Sequence, residues 1–185
     1  MDYNIIISGL GGDGVIFLSK VITSAALNQG VEVKCYQNHG HAKRGGSVVA
    51  HIRIGKNSFS PMIPFATADL LFSFEINEGA RYLHFLKDEA MVVVHHDRGA
   101  DSAQIAHLKS SINNLSIIDL TDIIKSIDDP NTRNSAMLGF IITLDRFPLK
   151  SSICKDALLM VLPKEKRGIN DAAFELGRRA KRQKI

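Results

Sequence analysis

A glycine-rich turn near the N-terminus, Gly-Leu-Gly-Gly-Asp-Gly at residues 9–14, constrains the fold more than any other feature of the chain. It follows a predicted strand at 5–8, apolar until its last residue, and precedes a helical pattern at 15–28. Three of its glycines have the G-x-G-x-x-G spacing, which permits a tight turn and close backbone approach to a ligand or a neighbouring strand. A strand, a glycine turn and a helix in this order present backbone N–H groups to an anion. The first candidate cofactor-binding residues are therefore Gly9, Gly11, Gly12 and Gly14.

The hydrophobic pattern predicts the elements that follow this unit. Further strands are expected at 31–36, 47–55, 68–74, 90–95 and 116–120, and a short turn at 122–126. Helices are expected at 77–86, 100–111, 134–147, 152–162 and 164–182. This alternation predicts an α/β fold, Rossmann-like, with a mostly parallel sheet, helices on both faces and a helical C-terminal end. With 185 residues and no linker, we expect a single domain over 1–185.

Composition argues against several classes of function. No apolar run approaches the roughly 20 residues that span a membrane, and residues 1–4 lack the basic region of a secretory signal, so we expect a cytoplasmic protein. Cys35 and Cys154 are too few for the four thiolates of a cuboidal iron–sulfur cluster and are expected to be reduced thiols. Much of the net charge of +4 lies in the last eight residues. This basic cluster is explained by a solvated helix end, or by a contact with an acidic partner subunit or a nucleotide. Binding to nucleic acid is less favoured, because no recognised nucleic-acid motif accompanies the charge.

Two familiar cofactors match the glycine turn incompletely. A dinucleotide site needs an acidic residue at the end of the second strand, but that strand ends Lys-Cys-Tyr-Gln at 34–37, although Lys34 is available for NADP. A thiamine site would use Asp13 and Asn38 as Mg²⁺ ligands, but His39 replaces the second Asn and the chain has no room for a second clamping domain. Asp13 has the simpler alternative of accepting backbone N–H bonds at a helix start.

A polar loop is the second candidate binding segment, His-Gly-His-Ala-Lys-Arg-Gly-Gly-Ser at 39–47. Flexible backbone with concentrated donors suits a carboxylate or a phosphate. The candidate cofactor-binding residues here are His39, Lys43, Arg44, Gly45, Gly46 and Ser47. An exposed loop without function is the alternative. A metal site would draw on Cys35, His39, His41 and His51, but this spacing matches no structural zinc pattern, so we predict no metal site. We also predict no catalytic residue in this chain.

The motifs together resemble a known family. The glycine turn is followed by H-G-x-A-x-R-G-G-S at 39–47, Pro-x-x-Pro at 61–64 and Ala-Asp-Leu-Leu at 68–71. Asn134–Gly139, with Met-Leu-Gly at its end, and N-x-x-A-F-x-x-G at 170–177 complete the pattern. This combination resembles the gamma-type subunit of 2-oxoacid:ferredoxin oxidoreductases, in particular the smaller (beta) subunit of indolepyruvate:ferredoxin oxidoreductase. Two departures are Asp13 and Lys43, where the family usually has Gln.

The resemblance implies a subunit that is inactive alone. In such complexes a larger partner carries thiamine diphosphate, Mg²⁺ and iron–sulfur clusters. The complex oxidatively decarboxylates a 2-oxoacid to an acyl-CoA and passes electrons to ferredoxin. This chain would then bind no cofactor by itself and would contribute to the coenzyme A side of the site at the subunit interface.

Two other functions are compatible with the sequence. One is a free-standing NAD(P)- or flavin-dependent oxidoreductase, and the other is a nucleotide-sensing or scaffold domain. Bound NADPH or flavin would favour the former, and a stable oligomer without a thiamine-binding partner would favour the latter. Because 45% of the residues are hydrophobic and the family assembles into complexes, we expect the isolated chain to expose an apolar face and to self-associate.

Overall fold

A computed structural model describes residues 2–39, 45–57, 59–95, 115–118, 125–127, 129–180 and 183–184. These residues form a seven-stranded sheet in the order β2-β3-β1-β4-β5-β6-β7. The strands are β1 (Tyr3–Leu10), β2 (Val33–His39), β3 (Ser47–Ile54), β4 (Ala68–Ser73), β5 (Leu86–His95), β6 (Leu115–Ile118) and β7 (Gln183–Lys184).

The α/β prediction is confirmed, with one difference in strand direction. Strands β1, β4, β5 and β6 pair in parallel, as expected. Strands β2 and β3 instead form an antiparallel hairpin, and β3 pairs antiparallel with β1. The seven residues at 40–46 are too few for a crossover connection, which needs about a dozen or more. Five of the seven strands still point the same way, and only β3 and β7 are reversed.

Helices cover the sheet unequally. They are α1 (Val15–Asn28), α2 (Ile76–Ala80), α3 (Arg133–Ile141), α4 (Ser151–Val161) and α5 (Arg167–Arg179). The larger apolar cluster joins one face of β1, β3 and β4 to α1, α3, α4 and α5. A smaller cluster on the other face contains Ile6, Leu71 and Val92 together with Ile76 of α2. Helices on both faces are thus present in the described part of the chain.

Some predicted boundaries are wrong, and each has a local cause. The helix expected at 77–86 is only α2 followed by a 3₁₀ turn at Leu83–Phe85, because the chain then enters β5 at Leu86. The helix expected to reach 147 ends at Ile141, where three-residue turns at Thr143 and Leu144 follow it. Helix could not have reached 147, because Arg146 has a left-handed φ of 67° and Pro148 disfavours helix in the residue before it. The helix predicted at 100–111 lies outside the described residues, as do residues 122–124 of the turn predicted at 122–126.

A candidate anion-binding edge

The candidate site lies at the carboxyl-terminal edge of the parallel strands. Strand β1 ends at the glycine turn, and β4 ends just before α2. Leu10 at the end of β1 pairs with Ser47 at the start of β3, so the predicted basic loop returns to this same edge. In open α/β sheets this is the edge where ligands bind.

The glycines of the turn have two different structural roles. Gly12 and Gly14 adopt φ values of 108° and 90°, which side-chain-bearing residues rarely adopt. Gly14 is also the N-cap of α1, so the turn delivers the chain directly into that helix. Gly9 has an extended backbone in β1, but a Cβ there would lie 2.9 Å from Asp13 Oδ2 and 3.1 Å from Phe74 Cβ. The turn therefore needs its glycines both for conformation and for close packing.

The turn and the end of the basic loop are joined by their backbones. The Gly11 N–H donates to the Gly46 carbonyl at 2.7 Å, and the Gly45 N–H donates to the Gly11 carbonyl at 3.3 Å. The Ser47 hydroxyl donates to Oε2 of Glu78, a residue only 5% exposed, at 2.5 Å. The structure thus brings Gly11, Gly45 and Gly46 together at one edge.

The remaining loop residues are placed less completely. His39 is the exposed last residue of β2 and pairs with Val48, so it belongs to a strand rather than to a loop. Lys43 and Arg44 lie outside the described residues, as does His41. Their part in the site stays a prediction.

Asp13 accepts a backbone N–H, as expected, but the donor is Leu10 at the end of β1 and not a residue of α1. Its Oδ2 accepts the Leu10 N–H at 2.7 Å, while Oδ1 accepts a hydrogen bond from Nη2 of Arg133 at 2.9 Å. The Arg133 guanidinium also lies 5.3 Å from the centre of the Phe74 ring. Both carboxylate oxygens of Asp13 are therefore engaged by partners within the chain. The ion pair also offsets the negative charge at the turn.

Asn134 closes the turn from the helical side. A Cβ on Gly14 would collide with its side-chain amide, and within the described part of the chain its buried Oδ1 has no hydrogen-bond partner. Asn134 begins the Asn134–Gly139 motif, so the sequence identified the residue but not its contact with Gly14. No local signal identifies Arg133 or Glu78, because both act through partners distant in the sequence.

Two of the residues considered for a metal site, Cys35 and His51, lie on opposite faces of the sheet. Cys35 pairs with Ile52 and packs on the larger cluster, whereas His51 contacts Tyr36 and Phe85 on the other face. Burial raises the pKa of the Cys35 thiol and lowers the pKa of His51. Among the residues that the structure describes, no group of three or more His, Cys, Asp or Glu side chains is arranged to hold a metal ion. None of their helices is long and apolar enough to cross a membrane.

Comparison with known proteins agrees with this architecture. The chain is similar over 96% of its length to "Indolepyruvate oxidoreductase subunit IorB" of Methanothermobacter thermautotrophicus, with 30% identity and 96% of the relative covered. The protein of the same name from Thermococcus kodakarensis is 27% identical, with 100% of this chain and 98% of the relative covered.

A solved structure shows the same fold within a longer chain. In 2-oxoglutarate:ferredoxin oxidoreductase from Magnetococcus marinus, with 2-oxoglutarate, coenzyme A and succinyl-CoA bound, the match has a TM-score of 0.75 at 19% identity. It covers 96% of this chain and 30% of the other. The family model for pyruvate ferredoxin/flavodoxin oxidoreductase matches residues 4–180. The chain therefore belongs to the pyruvate ferredoxin/flavodoxin oxidoreductase family.

Proposed function

We propose that this protein is the small, non-thiamine-binding subunit of a 2-oxoacid:ferredoxin oxidoreductase of the indolepyruvate type. The observation that carries the proposal is end-to-end similarity to proteins that are themselves named as subunits of indolepyruvate oxidoreductase. The complex converts a 2-oxoacid, coenzyme A and oxidised ferredoxin into an acyl-CoA, carbon dioxide and reduced ferredoxin. The protein acts in the cytoplasm.

The redox chemistry belongs to the larger partner subunit in this proposal. That subunit holds thiamine diphosphate, Mg²⁺ and the iron–sulfur clusters, and electrons reach ferredoxin through it. The two cysteines of this chain support the division, because Cys35 lies within β2 of the sheet and Cys154 is fully buried, with a pKa raised by burial to about 12. A cuboidal cluster takes four thiolates, and burial disfavours the thiolate form of both cysteines.

The small subunit contributes the carboxyl edge to the coenzyme A side of the site. Coenzyme A carries phosphates, and the edge combines the N-terminus of α1 with the basic loop that contains Lys43 and Arg44. Arg133 supports this role because it offsets the Asp13 carboxylate that would otherwise repel an anion. A related fold occurs in an oxidoreductase with coenzyme A bound.

Reconstitution tests the subunit assignment. The purified chain, its larger subunit and their mixture are each assayed with thiamine diphosphate, Mg²⁺, coenzyme A, a panel of 2-oxoacids including indolepyruvate, and a viologen dye. We expect sustained dye reduction only from the mixture, with indolepyruvate among the best substrates. Sustained reduction by the small chain alone, or full activity of the larger subunit without it, would contradict the proposal.

A further inference from the structure

An apolar ridge, residues 59–65, lies at the edge of the sheet opposite the glycine turn. It follows β3, whose last residue Ile54 pairs with Tyr3 at the start of β1. Three of its large side chains are exposed, Phe59, Met62 and Phe65, at 98%, 51% and 68%. Clusters of exposed apolar side chains of this kind mark sites of protein contact.

The backbone of the ridge is held in place beneath these side chains. Arg53 Nη1 donates to the Ser60 carbonyl at 2.9 Å, and the Ile63 N–H donates to Nδ1 of His51 at 3.3 Å. Ile63 itself is buried at 2% exposure. Two prolines, at 61 and 64, restrict the backbone further. The exposed side chains are therefore presented on a preorganised support, which lowers the entropic cost of binding.

Two cations, Lys34 and Arg53, flank the ridge. Lys34 and Arg53 face each other across β2 and β3. Lys34 Nζ donates to the Phe59 carbonyl at 3.3 Å. Within the described ranges neither cation forms a salt bridge with an acidic side chain. Like charges directly opposite each other in a sheet are destabilising, so a carboxylate from another molecule would relieve this repulsion.

We propose that the ridge docks onto the larger subunit of the oxidoreductase, in an apolar pocket flanked by carboxylates. This inference rests on the proposed function and adds the surface through which the complex assembles. A symmetric contact with a second copy would bring two more of the same cations to the surface, so charge complementarity favours an acidic partner instead. The ridge lies at the edge opposite the glycine turn, so it serves assembly and not the coenzyme A side.

The dissociation constant of the small chain for its larger subunit tests the proposal. Phe59→Ser removes the most exposed ridge side chain, and Lys34→Glu reverses one flanking charge. Leu27→Ser and Lys20→Glu are matched controls on α1, where Leu27 is 62% exposed and Lys20 is also exposed. We expect each ridge variant to weaken binding by about tenfold or more without loss of thermal stability, and each control to stay within about twofold.

The binding measurements also separate failure of the ridge proposal from failure of the subunit assignment. If the wild-type chain does not bind the larger subunit, the proposed function fails together with the ridge. If wild type and ridge variants bind equally, the ridge proposal is overturned while the subunit assignment stands. Sedimentation of the isolated chain tests whether the ridge instead binds a second copy of this chain. If Phe59→Ser abolished self-association and left binding to the larger subunit unchanged, the ridge would be assigned to a second copy and the proposal would be overturned.

Discussion

Arg133 forms an ion pair with Asp13 across 120 positions of sequence, and this pair fastens the start of α3 to the glycine turn. The two side chains are only 24% and 21% exposed. Asp13 also accepts the Leu10 N–H, so this hydrogen bond within the turn holds the carboxylate in position. The pair therefore couples the helical C-terminal half of the chain to the candidate binding edge.

A double-mutant cycle measures this coupling. We expect Asp13→Asn and Arg133→Met to show a coupling free energy of about 1–3 kcal/mol in urea unfolding, because a partly buried charged hydrogen bond is lost. Arg146 and Glu89 provide the control, since their side chains are 70% and 74% exposed and such pairs contribute less than about 1 kcal/mol. Equal coupling in the two cycles would show that the Asp13–Arg133 pair is an ordinary surface contact.

The crossing of α3 and α5 depends on two glycines. A Cβ on Gly139 would collide with the Phe174 carbonyl, and one on Gly177 would collide with the Ala136 carbonyl. We expect Gly139→Ala or Gly177→Ala to lower the free energy of unfolding by at least about 2 kcal/mol, since backbone must move apart. A Cβ on Gly168, also in α5, would have no atom within 4 Å, so Gly168→Ala should be neutral or stabilising by up to about 1 kcal/mol. A neutral Gly177→Ala variant would contradict this close packing.

The buried imidazole of His51 makes stability depend on pH. Burial lowers its pKa below the ordinary value of 6.5, and its Nδ1 accepts the Ile63 N–H. The unfolded chain then binds more protons than the folded one in the range below pH 6.5 and above the folded pKa. We therefore expect its contribution to stability to be complete above pH 6.5 and to fall as the pH falls through that range.

Comparing wild type with His51→Asn isolates this effect, because the Asn oxygen can accept the same N–H bond without titrating. The free energy of unfolding is measured from pH 7.5 to pH 5 in both proteins. The difference between them should change with pH in favour of the variant as the solution becomes more acidic. Parallel pH profiles would show that His51 does not carry the dependence.

The first strand, glycine turn and helix could be predicted from local sequence, and α1 has the predicted bounds, Val15–Asn28. Strand direction could not be predicted, because the alternation of β2 indicates which side chains face the core but not which way β2 and β3 run. The partners of Asp13 and Ser47 could not be predicted, since Arg133 and Glu78 reach them only after the chain has folded. The meeting of the glycine turn with Gly45 and Gly46 likewise depends on the hairpin.

The dependence of turnover on coenzyme A concentration is the most direct test that the carboxyl edge serves coenzyme A. Arg44→Lys keeps a positive charge but removes the two parallel hydrogen bonds that a guanidinium gives a phosphate or carboxylate. In the reconstituted complex, kcat/KM for coenzyme A should fall by about tenfold, or about 1.4 kcal/mol, with subunit assembly unchanged. Arg146→Lys, at an exposed position far along the chain, is the control and should change nothing. An Arg44→Lys complex with unaltered turnover and unaltered coenzyme A dependence would contradict this assignment.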